Sequence, residues 1–94
     1  QGGVRPVVIV SRNSLNASRE HVIAVPFTRT VLPRPLPTHV AVPAGSGGLR
    51  SESVARAEHV RVMAKSRLVE RWGTLDPAAM AEVEEALRIA LALD

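Results

Sequence analysis

Apolar residues fall along this chain in short dense runs, separated by polar, proline-rich and glycine-rich connections. Residues 6–10 (PVVIV) are almost all β-branched with no polar alternation, which predicts a strand buried on both faces. A polar loop is expected over residues 11–19. Residues 21–25 (HVIAV) predict a second strand, closed by Pro26, which lacks the amide hydrogen a central ladder needs. Phe27, Thr28, Arg29 and Thr30 then emerge at a strand end. Residues 31–37 (VLPRPLP) place three prolines in seven positions, the pattern of an extended surface loop, with Arg34 at its middle. Residues 38–42 (THVAV) return as a strand, and residues 43–48 (PAGSGG) form a turn.

Further on, residues 53–65 (SVARAEHVRVMAK) tolerate a helix over 56–64, but the valines favour a strand. Asp76-Pro77 is a helix start, an N-cap followed by proline at the first helical position, and a helix is expected from Pro77 to about Leu93. At ~100° per residue its apolar positions, from Met80 and Val83 to Leu91 and Leu93, sweep an arc of roughly 200°. Glu84, Glu85 and Arg88 occupy the rest. That arc is wider than one small core requires, so the surplus meets either a second subunit or a covering loop.

Composition narrows the function. The 94 residues fit one domain with a modest core. The chain has no cysteine, and its three histidines, His21, His39 and His59, lie too far apart for a local ligand motif, so neither disulfides nor a metal centre are expected. Nothing resembles a signal peptide or a membrane span, so a cytoplasmic, soluble protein is expected. The net charge is +3, and of twelve basic residues all but Lys65 are arginine. Arginine's planar fork binds phosphate at two points and stacks on bases, which favours a polyanionic partner. The only aromatic residues are Phe27 and Trp72, too few for a broad base-stacking platform. For Trp72, beside Gly73, packing at the core edge is the favoured role.

Several short blocks stand in order: Val4-Arg5-Pro6-Val7-Val8-Ile9-Val10-Ser11, then Val25-Pro26-Phe27-Thr28, then Ser53-Val54 with Glu58-His59-Val60-Arg61, then Lys65-Ser66-Arg67-Leu68. Each block is weak alone. In this order and spacing, from Gly3 to the final helix, they resemble the MazF/PemK toxin family. The resemblance implies a mostly β fold with a C-terminal helix, an SH3-like barrel of the MazF/CcdB type, and a homodimer. It also implies the toxin of a type II toxin-antitoxin system, a metal-independent endoribonuclease cleaving single-stranded RNA by attack of the 2′-hydroxyl on the adjacent phosphate. A MazE-like antitoxin with a flexible acidic segment would be its partner.

That reaction needs proton transfer and stabilisation of a phosphorane-like transition state. Arg5 matches the family's catalytic arginine before proline, and Thr28 its catalytic Thr or Ser. Taken alone, Arg5 is a solvated strand-start cation and Thr28 a strand-end hydroxyl bonded to local backbone; the resemblance gives them their roles. Ser53 falls where the family carries an Asp-Ser pair, with Glu52 as the acidic partner here. His59 stands where relatives usually have Gln, as a proton donor, an RNA contact or a packing residue. His39 reads as a half-exposed strand histidine with no assigned role. Arg12, Arg29 and Arg34 lie in loops around the expected site and would draw RNA by counterion release.

In one respect the chain departs from the family. Relatives open with a strand of the form R-G-E-[IV]-[WY], whereas this chain starts at Gln1, inside the following loop. A barrel strand is therefore expected to be missing, leaving an exposed edge, and the natural protein is expected to carry residues ahead of Gln1. Two other readings remain open. One is a non-catalytic SH3-like RNA or ribosome adaptor that uses the same arginines to hold phosphates. The other is a CcdB-like gyrase-poisoning toxin, against which the Arg5 and Thr28 blocks argue.

Overall fold

The structure, a computed structural model, describes residues 4–29 and 34–93. The β-branched runs form five strands: β1 Val7–Ile9, β2 His21–Thr28, β3 His39–Val42, β4 Ser53–Arg56 and β5 Arg61–Ala64. A short helix, α1 (Asn13–Ser18), joins β1 to β2, and α2 (Pro77–Ala90) ends the chain. The expected loop over residues 11–19 is thus partly helical. The side chain of Asn16 explains the turn: its amide donates to the Ser11 carbonyl (2.9 Å), replacing solvent as a partner there.

The long strand β2 organises the sheet. β1 pairs antiparallel with one edge, setting Val7 opposite Pro26 and Ile9 opposite Ala24. The other edge is divided between β5, which pairs with residues 21–24, and β4, which pairs with Phe27 and Thr28. β3 then pairs with β4. Among the described residues the sheet stays open, because β1, β3 and β5 each pair on one side only. Closure into a barrel is therefore not seen.

Pro26 does not close β2, contrary to the expectation from its missing amide hydrogen; the strand continues to Thr28. Strand amides point alternately to the two edges, and Phe27 donates to the Pro6 carbonyl (3.1 Å) on the β1 side. Pro26 therefore faces the other edge, in the gap where β5 has ended and β4 has not begun. No ladder bond is lost there.

Two further expectations are corrected. The residues read as one strand over 53–65 are two, β4 and β5, split by a 3₁₀ turn at Ala57–His59 whose backbone is tied by the bond from Val60 N–H to the Ala57 carbonyl (3.0 Å). β1, expected to be buried on both faces, is half-buried throughout, as befits an edge strand. The proline-rich loop falls partly outside the described residues; its described part, residues 34–37, contains no helix or strand, and the strand expected from Thr38 begins at His39.

The core lies between the sheet and α2. Val25 and Phe27 of β2, Val40 and Val42 of β3, and Ala55 of β4 meet Val83 and Ala86 of α2. Val83 is fully buried, which for a side chain of its size contributes roughly 1.5–3 kcal/mol. The remaining apolar arc is not covered: Ile89, Leu91 and Leu93 are about half exposed. No helix among the described residues is long and apolar enough to cross a membrane.

Candidate active site

The antiparallel register of β1 and β2 brings together residues far apart in sequence. Continued past Val7 and Pro26, it sets Arg5 alongside Thr28, with the Phe27–Pro6 backbone bond between them. On the opposite edge Thr28 faces Val54 of β4, so Glu52 and Ser53 arrive on its other side. These meet at an open groove of about 840 Å³, whose walls include Arg5, Thr28, Arg29, Glu52 and Ser53 together with Arg50 and Trp72.

Charge in the groove is one-sided. Arg5, Arg29 and Arg50 stand against the single carboxylate of Glu52. Three cations on one concave surface concentrate positive potential, which favours a phosphate chain over an acid-free ligand. Arg5 and Arg29 are exposed, as ligand-binding cations must be, whereas Thr28 is half-buried at the strand end.

The other expected site residues divide. Ser53 is buried, and its hydroxyl donates to the Ser51 carbonyl (2.9 Å), so it shapes the turn into β4. His59 sits in the turn before β5, is not a wall of the groove, and uses its carbonyl to accept from Arg61 Nε (3.2 Å). Arg12, at the start of α1, and Arg34, after the undescribed part of the proline-rich loop, are exposed and also stand outside the groove walls. Among the described residues no cluster of His, Cys, Asp and Glu has the arrangement of a metal site.

Sequence reasoning missed Arg50 in the groove. Its guanidinium lies over the Trp72 ring, 4.2 Å from the centroid. Nothing local links the two residues, since the contact is made only when the glycine turn folds against the segment before α2. His39 opens β3 and is intermediate in burial, as a half-exposed strand histidine should be, but the bonding of its side chain was not foreseen. Its side chain is 6% exposed, with Nδ1 accepting from the Leu36 N–H (3.0 Å) and Nε2 donating to Glu58 (2.8 Å).

The chain is similar to known proteins along almost its whole length. The chain is 38% identical over 93 residues to endoribonuclease EndoA of Bacillus subtilis, spanning 99% of this chain and 80% of that protein. To endoribonuclease MazF of Staphylococcus epidermidis it is 37% identical over 94 residues, spanning 100% and 78%. Among solved structures, an endoribonuclease from Mycobacterial species in complex with its cognate antitoxin superposes with a TM-score of 0.86 at 32% identity, covering 98% of this chain and 84% of that one. Residues 1–91 match the family of PemK-like, MazF-like toxins of type II toxin-antitoxin systems, and the chain belongs to that family.

Proposed function

We propose that this chain is the toxin of a type II toxin-antitoxin pair and acts as a sequence-specific endoribonuclease on single-stranded RNA, without a metal, in the cytoplasm. The observation that carries the reading is the placing of Arg5 beside Thr28 at one end of an arginine-lined groove. In the reaction the ribose 2′-oxygen bonds to the adjacent phosphorus and gives up its proton, and the bond to the 5′-oxygen breaks as that oxygen takes one up. The ends are a 2′,3′-cyclic phosphate and a 5′-hydroxyl. Arg5 would hold the phosphate by two parallel hydrogen bonds and offset the charge that develops on its oxygens. Thr28 would bond a phosphate oxygen. Glu52 and Ser53 support the floor of the site, and Arg29 guides the RNA strand, with Arg12 and Arg34 attracting it from farther off.

The working unit in this proposal is a homodimer of SH3-like barrels. Ile23 of β2 and Val62 of β5 are cross-strand partners, 41% and 66% exposed, and with Ile89, Leu91 and Leu93 they leave apolar surface for a second subunit. A MazE-like antitoxin with a flexible acidic segment would restrain the enzyme by occupying the same cationic groove.

The test is incubation of the purified protein with a mixed RNA pool, followed by sequencing of the cleaved ends. The wild type should leave 5′-hydroxyl ends at a short recurrent motif, and Arg5→Ala should abolish them while retaining the fold. An intact RNA pool, or cleavage by Arg5→Ala at the wild-type rate, would overturn the reading. A protein that binds RNA without cutting it would be the adaptor.

A further inference from the structure

We propose that Arg50, held over the Trp72 ring, is the stacking surface for a nucleobase of the RNA next to the cut, with Trp72 as the residue that positions it. The inference rests on the ribonuclease reading of the groove. Both residues wall the same groove as Arg5, Thr28 and Arg29, so a strand held at Arg5 runs past them. With the guanidinium carbon 4.2 Å above the indole centroid, one face of Arg50 is taken by the ring. The side chain is nonetheless 69% exposed, which leaves its other face open. A base on that face completes a three-layer stack of indole, guanidinium and base.

Trp72 is a firm support. It is half-buried and packs against the core. The turn that carries Gly48 closes directly over its backbone: Gly48 has φ +80°, and a Cβ there would lie 2.3 Å from the Trp72 carbonyl oxygen. Only glycine allows that approach. Glu70 stands 4.0 Å from the Arg50 guanidinium, and with both side chains more than half exposed that pairing holds Arg50 weakly. No second Phe, Tyr or Trp ring competes for that role, because Phe27 is 6% exposed and belongs to the core.

The test uses a short single-stranded RNA from the cleaved set, and the same RNA with a 2′-deoxy scissile nucleotide so that it binds uncut. Trp72 is the only tryptophan, so its fluorescence reports binding without interference. Arg50→Ala should raise KM and the Kd of the uncleavable RNA roughly tenfold, with kcat changed less than about twofold. An abasic nucleotide at one position beside the cut should weaken the wild type about as much and leave Arg50→Ala unaffected, since the stack is already lost. Arg50→Lys keeps the charge without the plane and should behave like Arg50→Ala. Full rescue by lysine would make Arg50 a phosphate contact and overturn the stacking role, as would an abasic scan that shows no position coupled to Arg50. A wild type that cuts no RNA would instead remove the ribonuclease reading, and this proposal with it.

Discussion

Glu58 receives hydrogen bonds from the Thr38 hydroxyl (2.7 Å) and His39 Nε2 (2.8 Å), and Arg56 Nε approaches at 3.4 Å. Burial works to raise its pKa, but the bonds from Thr38, His39 and its own backbone outweigh it and lower the value from 4.5 to about 2. A carboxylate depressed on folding stabilises the native state above its unfolded pKa and loses that contribution as pH falls toward the folded one. Here the loss runs from about pH 4.5 down to about pH 2. Glu58→Gln should therefore cost about 1–2 kcal/mol at pH 7, read from urea unfolding, with the difference from wild type shrinking over that acid window. Equal midpoints at pH 7 would show that the cluster contributes nothing. At the groove, Thr28→Ala should slow single-turnover cleavage more than it weakens RNA binding, because a hydroxyl bonding developing charge acts mainly in the transition state. Equal losses in rate and affinity would mark a ground-state contact instead.

At the scale of elements, both ends of α2 are explained by local chemistry. Its start was legible in the sequence: Asp76 accepts from the Ala79 N–H (3.3 Å), and Pro77 occupies the first turn, where its missing amide costs nothing. Its end was not. The apolar pattern runs on to Leu93, whereas the helix stops at Ala90. Leu93 N–H donates to the Arg88 carbonyl (2.8 Å) and Ala92 N–H to the Ile89 carbonyl (3.2 Å), a closing motif that requires a left-handed residue. Ala92 takes that place at φ 57°. Glycine carries no Cβ penalty there, so Ala92→Gly should stabilise the protein by about 1 kcal/mol in thermal or urea unfolding. A loss of stability would show that the turn is held by something other than these bonds.

For the whole molecule, the proposed function would make RNA and an acidic peptide rivals for the arginine-lined groove. A peptide disordered when free loses chain entropy on binding, so apolar anchors must supplement its charges. RNA and the antitoxin should compete in a titration, and rising salt should weaken antitoxin binding less steeply than RNA binding. A ternary complex cutting RNA at full rate would exclude this mode of control. Cleavage should also persist in EDTA; a loss of activity that magnesium restores would overturn the metal-independent mechanism.

The sequence by itself determined the family, through short blocks in register, and a mostly β chain with a terminal helix, through β-branched runs and a capped amphipathic segment; the division of residues 53–65 into β4 and β5 was not legible there. It pointed to Arg5 and Thr28 only through the family resemblance, because taken alone their residue types are those of ordinary strand ends. Only the tertiary structure decided that β2 passes through Pro26, since that depends on which neighbour faces the missing amide. It likewise decided that the His39 side chain bonds Glu58 and that Arg50 lies over Trp72. Each is a contact between segments distant in the chain. Local propensity and periodicity carry information about a residue's own turn or strand, and none about which side chain from another element will meet it.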